Sequence, residues 1–181
     1  MSFKSHFLRK ASGSTDLERT QYKVTQTLAT GKIPSLVVGG FAVQEHGYAR
    51  FTEDIDILVP DVSAAIEWLS IRGFKLNPGS SMTMTDRETK VEVDILPAGG
   101  RVGPGPLSLP DPSQLVLGTA VAPLRQLLEM KLSAYIGNGI QRIQDLADVT
   151  KLILINHLPK DFPMASEVQE LYQSTWDQLH A

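Results

Sequence analysis

The spacing of hydrophobic positions changes along the chain, and the elements follow from it. Between Thr15 and Gly31, Leu17, Val24 and Leu28 recur at helical spacing. Thr15 with Glu18 three residues on has the spacing of a capping box, and Gly31 suits a helix C-terminus. Pro34 breaks the chain before Leu36–Val38, an apolar run that reads as a strand. From Leu36 to Val59 the chain reads LVVGGFAVQEHGYARFTEDIDILV. A Gly-Gly pair follows the first run, then a segment that suits a helix, then a second run holding Asp54 and Asp56. Side chains alternate faces along a strand, so these two aspartates point the same way, with Cα atoms roughly 6–7 Å apart. Ile55, Ile57 and Val59 point the other way, toward a core.

A helix capped by Asp61 or Ser63 carries Ala65, Ile66 and Leu69 on its apolar face and ends at Gly73. Phe74–Leu76 reads as a short strand. Met82–Thr85 and Val91–Leu96 read as two strands joined by a polar turn. In the second, Val91, Val93 and Ile95 face one way, while Glu92 and Asp94 face the other. Residues 97–113 hold five prolines and four glycines, a long loop that is either a lid or a connector. Leu115–Val121 reads as a further short strand. Pro123 suits a helix first turn, and Leu124, Leu127, Leu128, Lys131 and Tyr135 share a face of that helix, so Lys131 interrupts an apolar stripe. After Gly137–Gly139, a helix from Gln141 to about His157 turns Ile143, Leu146, Ile153 and Leu154 inward, with Arg142, Asp145 and Asp148 on the neighbouring surface. Pro159 and Pro163 end it before an amphipathic helix over Ala165–Leu179. His46, Trp68 and Trp176 read as structural. Strands come early and helices gather late. The expected fold class is α/β (α+β), a small mixed sheet packed with helices. It divides into a core over 1–122 and a helical part over 123–181 packed on it.

Composition narrows this picture. Over 181 residues, 42% hydrophobic content suffices for a core. A net charge of −3 gives no global attraction to nucleic acid or anionic membrane, although Arg101, Arg125, Lys131 and Arg142 can still line a local basic groove. There is no cysteine, so thiolate metal sites and cysteine nucleophiles are excluded. No apolar run reaches the ~20 residues of a membrane span. Residues 1–13 read as a loose arm without a secretory pattern, so the expected compartment is the cytoplasm and no membrane partner is expected.

The candidate chemistry lies in the Leu36–Val59 stretch. Two carboxylates on one strand face repel each other unless a divalent cation sits between them. A Gly-Gly turn opening a helix brings backbone N–H groups close to a phosphate. Asp94 adds a third carboxylate from a neighbouring strand, enough for a two-metal site and a base for an attacking hydroxyl. A metal-dependent phosphohydrolase is weaker, because the four histidines stand at no ligand spacing to the aspartates.

Gly39-Gly40, Arg50-x-Thr52-x-Asp54-x-Asp56 and the later aspartate of VEVDIL resemble the nucleotidyltransferase superfamily of the DNA polymerase β type. The nearest resemblance is to the AbiEii-like group, which includes toxins of type IV toxin–antitoxin systems. The resemblance runs from about Leu36 to Leu154, with Lys131, Arg142 and the Asp145-x-x-Asp148 spacing as its looser C-terminal part. It implies transfer of a nucleoside monophosphate from an NTP such as ATP to a hydroxyl acceptor, with release of pyrophosphate. It implies Mg2+ (or Mn2+) held by Asp54, Asp56 and Asp94, and phosphates held by Gly39 and Gly40, with Arg50 and Thr52 beside them. Lys131 approaches the triphosphate and Asp145 supports catalysis. Gly40 stands where many of the wider superfamily carry serine, leaving that contact to the backbone. The acceptor is tRNA, a protein or a small molecule, and a cognate antitoxin or toxin is an implied partner. The alternative reading is a non-catalytic nucleotide-binding or toxin–antitoxin protein.

Overall fold

A computed structural model describes residues 15–101 and 103–181. The arm expected at residues 1–13 lies outside them. Helix α1 (Asp16–Thr30) starts at the expected capping box, where Thr15 and Glu18 bond reciprocally. It ends at Gly31, though not because a left-handed backbone is needed there, since φ is −82°. The indole of Trp68 lies where a Cβ on Gly31 would stand, 2.6 Å from its nearest atom.

Strand β1 (Leu36–Val38), helix α2 (Gly39–Glu45) and strand β2 (Asp54–Val59) follow in order. Helix α3 (Val62–Ser70) is capped by Asp61, whose carboxylate accepts the Ala64 N–H. Strands β3 (Phe74–Leu76), β4 (Thr83–Asp86) and β5 (Glu92–Pro97) complete one five-stranded sheet in the order β1-β2-β5-β4-β3. Only β2 and β5 run parallel; the other pairs are antiparallel. The fold is thus a mixed α/β sheet with helices packed on it, as expected.

Alternation along the two central strands splits the core. Ile55, Ile57 and Val59 of β2, with Val93 and Ile95 of β5, are fully buried beneath α1 and α3. The opposite face carries Asp54, Asp56 and then Leu58. Leu58 belongs to a second apolar cluster with helices α4 (Leu124–Asn138), α5 (Ile143–Ile155) and α6 (Ser166–His180). The C-terminal helices therefore roof the end of the sheet that bears the carboxylates. Tyr172 anchors α6 in this roof, donating to the Pro159 carbonyl at 2.8 Å; burial pushes its phenol up to about 12.

Two expectations are corrected. Leu115–Val121 is not a strand. It makes two isolated bridges, Val116 with Ser35 before β1 and Val121 with Val37 of β1, where Val37 N–H also donates to the Ala120 carbonyl at 2.9 Å, and Gly118 at φ 97° turns the chain between them. In α5 the inward stripe is Asp145, Asp148, Val149, Leu152 and Ile153, whereas Ile143 and Leu154 are exposed. The 145, 148, 149, 152, 153 spacing is a regular helical face, so the two aspartates lie inside rather than on the surface. The long loop is also more ordered than a connector. Gly99 N–H donates to Pro110 at 2.7 Å, and Leu109 N–H donates to Gly100 at 2.6 Å. Arg101 and Ser108 pair as a ribbon.

Candidate active site

The carboxylate face is set by strand register. Asp56 stands between Val38 on β1 and Asp94 on β5, while Asp54 is opposite Glu92. Because β2 and β5 are parallel and in register, Asp56 and Asp94 emerge side by side. Glu92 is exposed and accepts from Asn77 at 2.7 Å, away from this group. Thr52 Oγ1 donates to Asp54 Oδ1 at 2.9 Å.

The Gly-Gly turn is built against the same aspartates. Gly39 has φ 64°, a conformation that favours glycine. A Cβ there would also collide with the Asp56 carboxylate. At Gly40 a Cβ would meet the Thr52 hydroxyl and stand 2.9 Å from Arg50 Nη2. Both glycines are therefore demanded by close approach. The space that a serine side chain would fill at position 40 is taken by Thr52 and Arg50. The N-cap residue of α2, Val38, provides no side-chain cap to its first turn.

Asp56 is the most perturbed group here. Burial, then the charges of Asp54 and Asp94, push its carboxyl up to about 6, while Lys131 and Arg142 oppose that rise. Three like charges on one face cost free energy that an opposing cation would relieve.

The C-terminal helices bring cations to this face, already neutralised by a chain of ion pairs. Lys131 Nζ lies 2.9 Å from Asp145 Oδ1 and 2.7 Å from Asp148 Oδ2. Arg142 Nε reaches Asp145 Oδ2 at 2.6 Å. Asp148 is completely buried. It also meets Arg50 Nε at 2.9 Å and Nη2 at 3.2 Å, and accepts from Gln144 Nε2 at 2.9 Å. Charges thus alternate from Arg142 through Asp145, Lys131 and Asp148 to Arg50, joining α5 and α4 to the Gly40 turn. The sequence reading names Asp148 as the second half of Asp145-x-x-Asp148 but places it on the helix surface, whereas it is a fully buried member of this chain of charges. Its signal was its spacing of three from Asp145 together with a lysine on the apolar stripe of the preceding helix, since two buried groups of opposite charge need each other.

One cleft of about 450 Å³ collects these groups. Gly39, Gly40, Arg50, Thr52, Asp54, Asp56, Asp94, Lys131 and Asp145, the full set singled out from sequence, all line it, joined by Arg142, Gln141 and Gln144. Arg101 and Arg125 do not line it; Arg125 instead pairs with Glu129 at 2.9 Å. The expected basic groove therefore reduces to Lys131 and Arg142. Among the described residues no three carboxylate or imidazole groups are drawn together closely enough to hold a metal ion as they stand. By donor type, the all-oxygen face of Asp54, Asp56 and Asp94 suits a hard divalent cation such as Mg2+ or Mn2+.

No protein-family model and no curated protein matches this sequence. Solved structures do match the fold. The antibiotic-resistance factor ANT(2'')-Ia, in a solution structure, gives a TM-score of 0.51 over 89% of this chain and 91% of its own, at 11% identity. A crystal structure of ANT(2'')-Ia in complex with adenylyl-2''-tobramycin gives 0.50 over 90% and 98%, also at 11% identity. The chain has a nucleotidyltransferase fold. A tRNA nucleotidyltransferase complexed with a primer tRNA and an incoming ATP analog is more distant, with a TM-score of 0.42 over 86% of this chain, half of its own, and 14% identity. In this nucleotidyltransferase fold, the cleft lies where the central parallel strand pair meets the C-terminal helices.

Proposed function

We propose that the cleft is the active site of a metal-dependent nucleotidyltransferase, which moves a nucleoside monophosphate from an NTP to a hydroxyl-bearing acceptor. The observation that carries this reading is the packing of Asp56 on Gly39 with Asp94 alongside. It puts a phosphate-sized turn and three carboxylates on one cleft wall. Charge supports the metal requirement. The lining holds three cations and four carboxylates, so a polyanionic triphosphate meets net repulsion unless divalent cations accompany it.

Residues 1–122 supply the turn and the carboxylates; residues 123–181 supply Lys131, Arg142 and Asp145. Gly39 and Gly40 hold phosphate oxygens through backbone N–H groups that no Cβ shields. Arg50 and Thr52 flank that contact. Lys131, oriented by Asp145 and Asp148, and Arg142 face the triphosphate. Asp54, Asp56 and Asp94 would hold Mg2+ or Mn2+. Such ions, when bound, neutralise charge at the reacting phosphorus and on the leaving group. The acceptor oxygen forms a bond to the α-phosphorus, and the bond from that phosphorus to the oxygen bridging to the β-phosphate breaks. Pyrophosphate leaves with the bonding pair, and Asp94 takes the acceptor proton. The chain contributes chiefly positioning and charge stabilisation. No helix among the described residues is long and apolar enough to cross a membrane, and the need for NTP favours the cytoplasm.

Incubation of the protein with each α-labelled NTP, Mg2+ and a cell extract should move label to one acceptor. Asp54→Ala or Asp56→Ala should reduce that transfer by on the order of a thousandfold. Unimpaired transfer by folded variants would overturn the reading. AbiEii-like membership and a toxin–antitoxin role rest on the sequence motifs; a cognate partner co-purifying at fixed stoichiometry would support the latter.

A further inference from the structure

We infer that the outward face of α5 is a contact for a second copy of this chain, packed antiparallel about a two-fold axis. The inference is independent of the nucleotidyltransferase reading.

The exposed side chains of α5 are Ile143, Gln144, Ala147, Lys151, Leu154 and Ile155. Four of these six are apolar and one is charged, whereas the solvent face of a helix is ordinarily polar and charged. Ile143 is 55% exposed and Leu154 41%. Ile140, in the corner just before α5, is 89% exposed. The other side of the helix, Asp145, Asp148, Val149, Leu152 and Ile153, is buried within the molecule. Helix α5 therefore has two packing faces, and the chain covers one of them.

Ile143, Ala147, Thr150 and Leu154 follow one another at steps of four, three and four. That spacing makes a seam along one side of a helix, the kind by which two helices pack together. Thr150 is half-buried, and its hydroxyl donates to the Leu146 carbonyl at 2.8 Å. It therefore asks for no polar partner across the seam.

The seam is self-complementary. It reads large, small, small, large. A two-fold axis between Ala147 and Thr150 sets Ile143 against Leu154 of the second copy, and Ala147 against its Thr150, the reciprocal matching that an isologous contact requires. Small residues at the midpoint let the two backbones approach, and the larger ones fill the space on either side. Charge agrees with this pairing. Lys151 is the one charged side chain on the exposed face and has no ion-pair partner among the described residues. In the antiparallel arrangement it lies across from Gln144 of the second copy, not from another lysine. Gln144 donates its amide N–H to Asp148 Oδ1 at 2.9 Å, which leaves Oε1 as an acceptor for that ammonium. Gln144 also lines the cleft, so the contact runs along the cleft's edge. The thirteen residues of α5 span about 20 Å. That is short for an obligate interface, so monomer and dimer exchange with concentration.

Sedimentation equilibrium of the full chain over a concentration series should show this exchange. Ile143→Glu and Leu154→Glu should each raise the dimer dissociation constant by roughly tenfold or more. Ala147→Leu should weaken the dimer too, although it adds apolar surface, because the wider side chain holds the helices apart. All three positions face solvent, so each variant should keep the far-UV circular dichroism of the parent. The chain has no cysteine, so single cysteines report the direction of packing. On oxidation, Ala147→Cys should cross-link to Thr150→Cys, and Ile143→Cys should cross-link to Leu154→Cys but not to itself. A chain that is monomeric at every concentration would overturn the inference and leave the face to a different protein. A dimer unmoved by both glutamate variants, a dimer tightened by Ala147→Leu, or ready self-linking of Ile143→Cys would overturn it as well.

Discussion

Gly39 and Asp56 show how single residues fix the cleft. The Asp56 carboxylate occupies the place of the missing Cβ, so Gly39→Ala faces both a collision and an unfavourable φ of 64°. It should cost about 1–3 kcal/mol in urea unfolding, and it should weaken nucleotide binding because Asp56 has to move. The aspartates themselves oppose folding. Asp54 raises the charging cost of Asp56, so Asp54→Asn should raise the melting temperature in metal-free buffer while removing activity, a trade common at functional sites. A lower melting temperature for that variant would contradict the repulsion. Both glycines and all three aspartates were legible in the sequence because alternation and spacing suffice to place them. The packing of Thr52 and Arg50 over Gly40 was not, since it depends on how residues 50–52 turn back toward α2, and no periodicity encodes that.

At the scale of elements, the ion-pair chain ties α4 and α5 to the turn that follows β1. Asp148 is fully buried and neutralises both Lys131 and Arg50. Removing one member of such a pair leaves uncompensated charge, so Asp148→Ala should cost roughly 3–5 kcal/mol, read by chemical denaturation, whereas Arg142→Ala at the exposed end should cost under about 1 kcal/mol. Equal losses would mean that burial does not govern the network. The orientation of α5 was hidden in its sequence. Ile143 and Leu154 offered an apolar stripe that competes with the one containing Asp145 and Asp148, and only the lysine from α4 and the arginine from residue 50 decide between them. Similarly, Leu115–Val121 has strand composition, but Gly118 leaves it two isolated bridges, to Ser35 and to Val37. Strands β2 and β5 were clear because apolar and acidic residues alternate over Asp54–Ile57 and Glu92–Ile95.

For the whole molecule, the buried carboxylate face couples folding to protons and, on the proposed reading, to metal. The Asp56 carboxyl titrates near 6 in the folded chain against 3.8 for the ordinary group. Between those values the folded state holds a proton that the unfolded state has released. Its contribution to stability is therefore present at low pH and falls as pH rises through that window, by on the order of 2–3 kcal/mol. Asp56→Asn should remove this slope, which denaturant midpoints measured between pH 4 and 7 will show as a difference between the two proteins. On the proposed reading, a divalent cation held by Asp56 would release its proton on binding near pH 6.

The most direct measurement is calorimetric titration of the purified chain with NTP, with and without Mg2+, at pH 7.5. The account predicts binding of at least one NTP that depends on Mg2+ and disappears in Asp54→Ala and Asp56→Ala. Nucleotide binding that is equally tight without divalent cation, or unchanged when both aspartates are replaced, would contradict it.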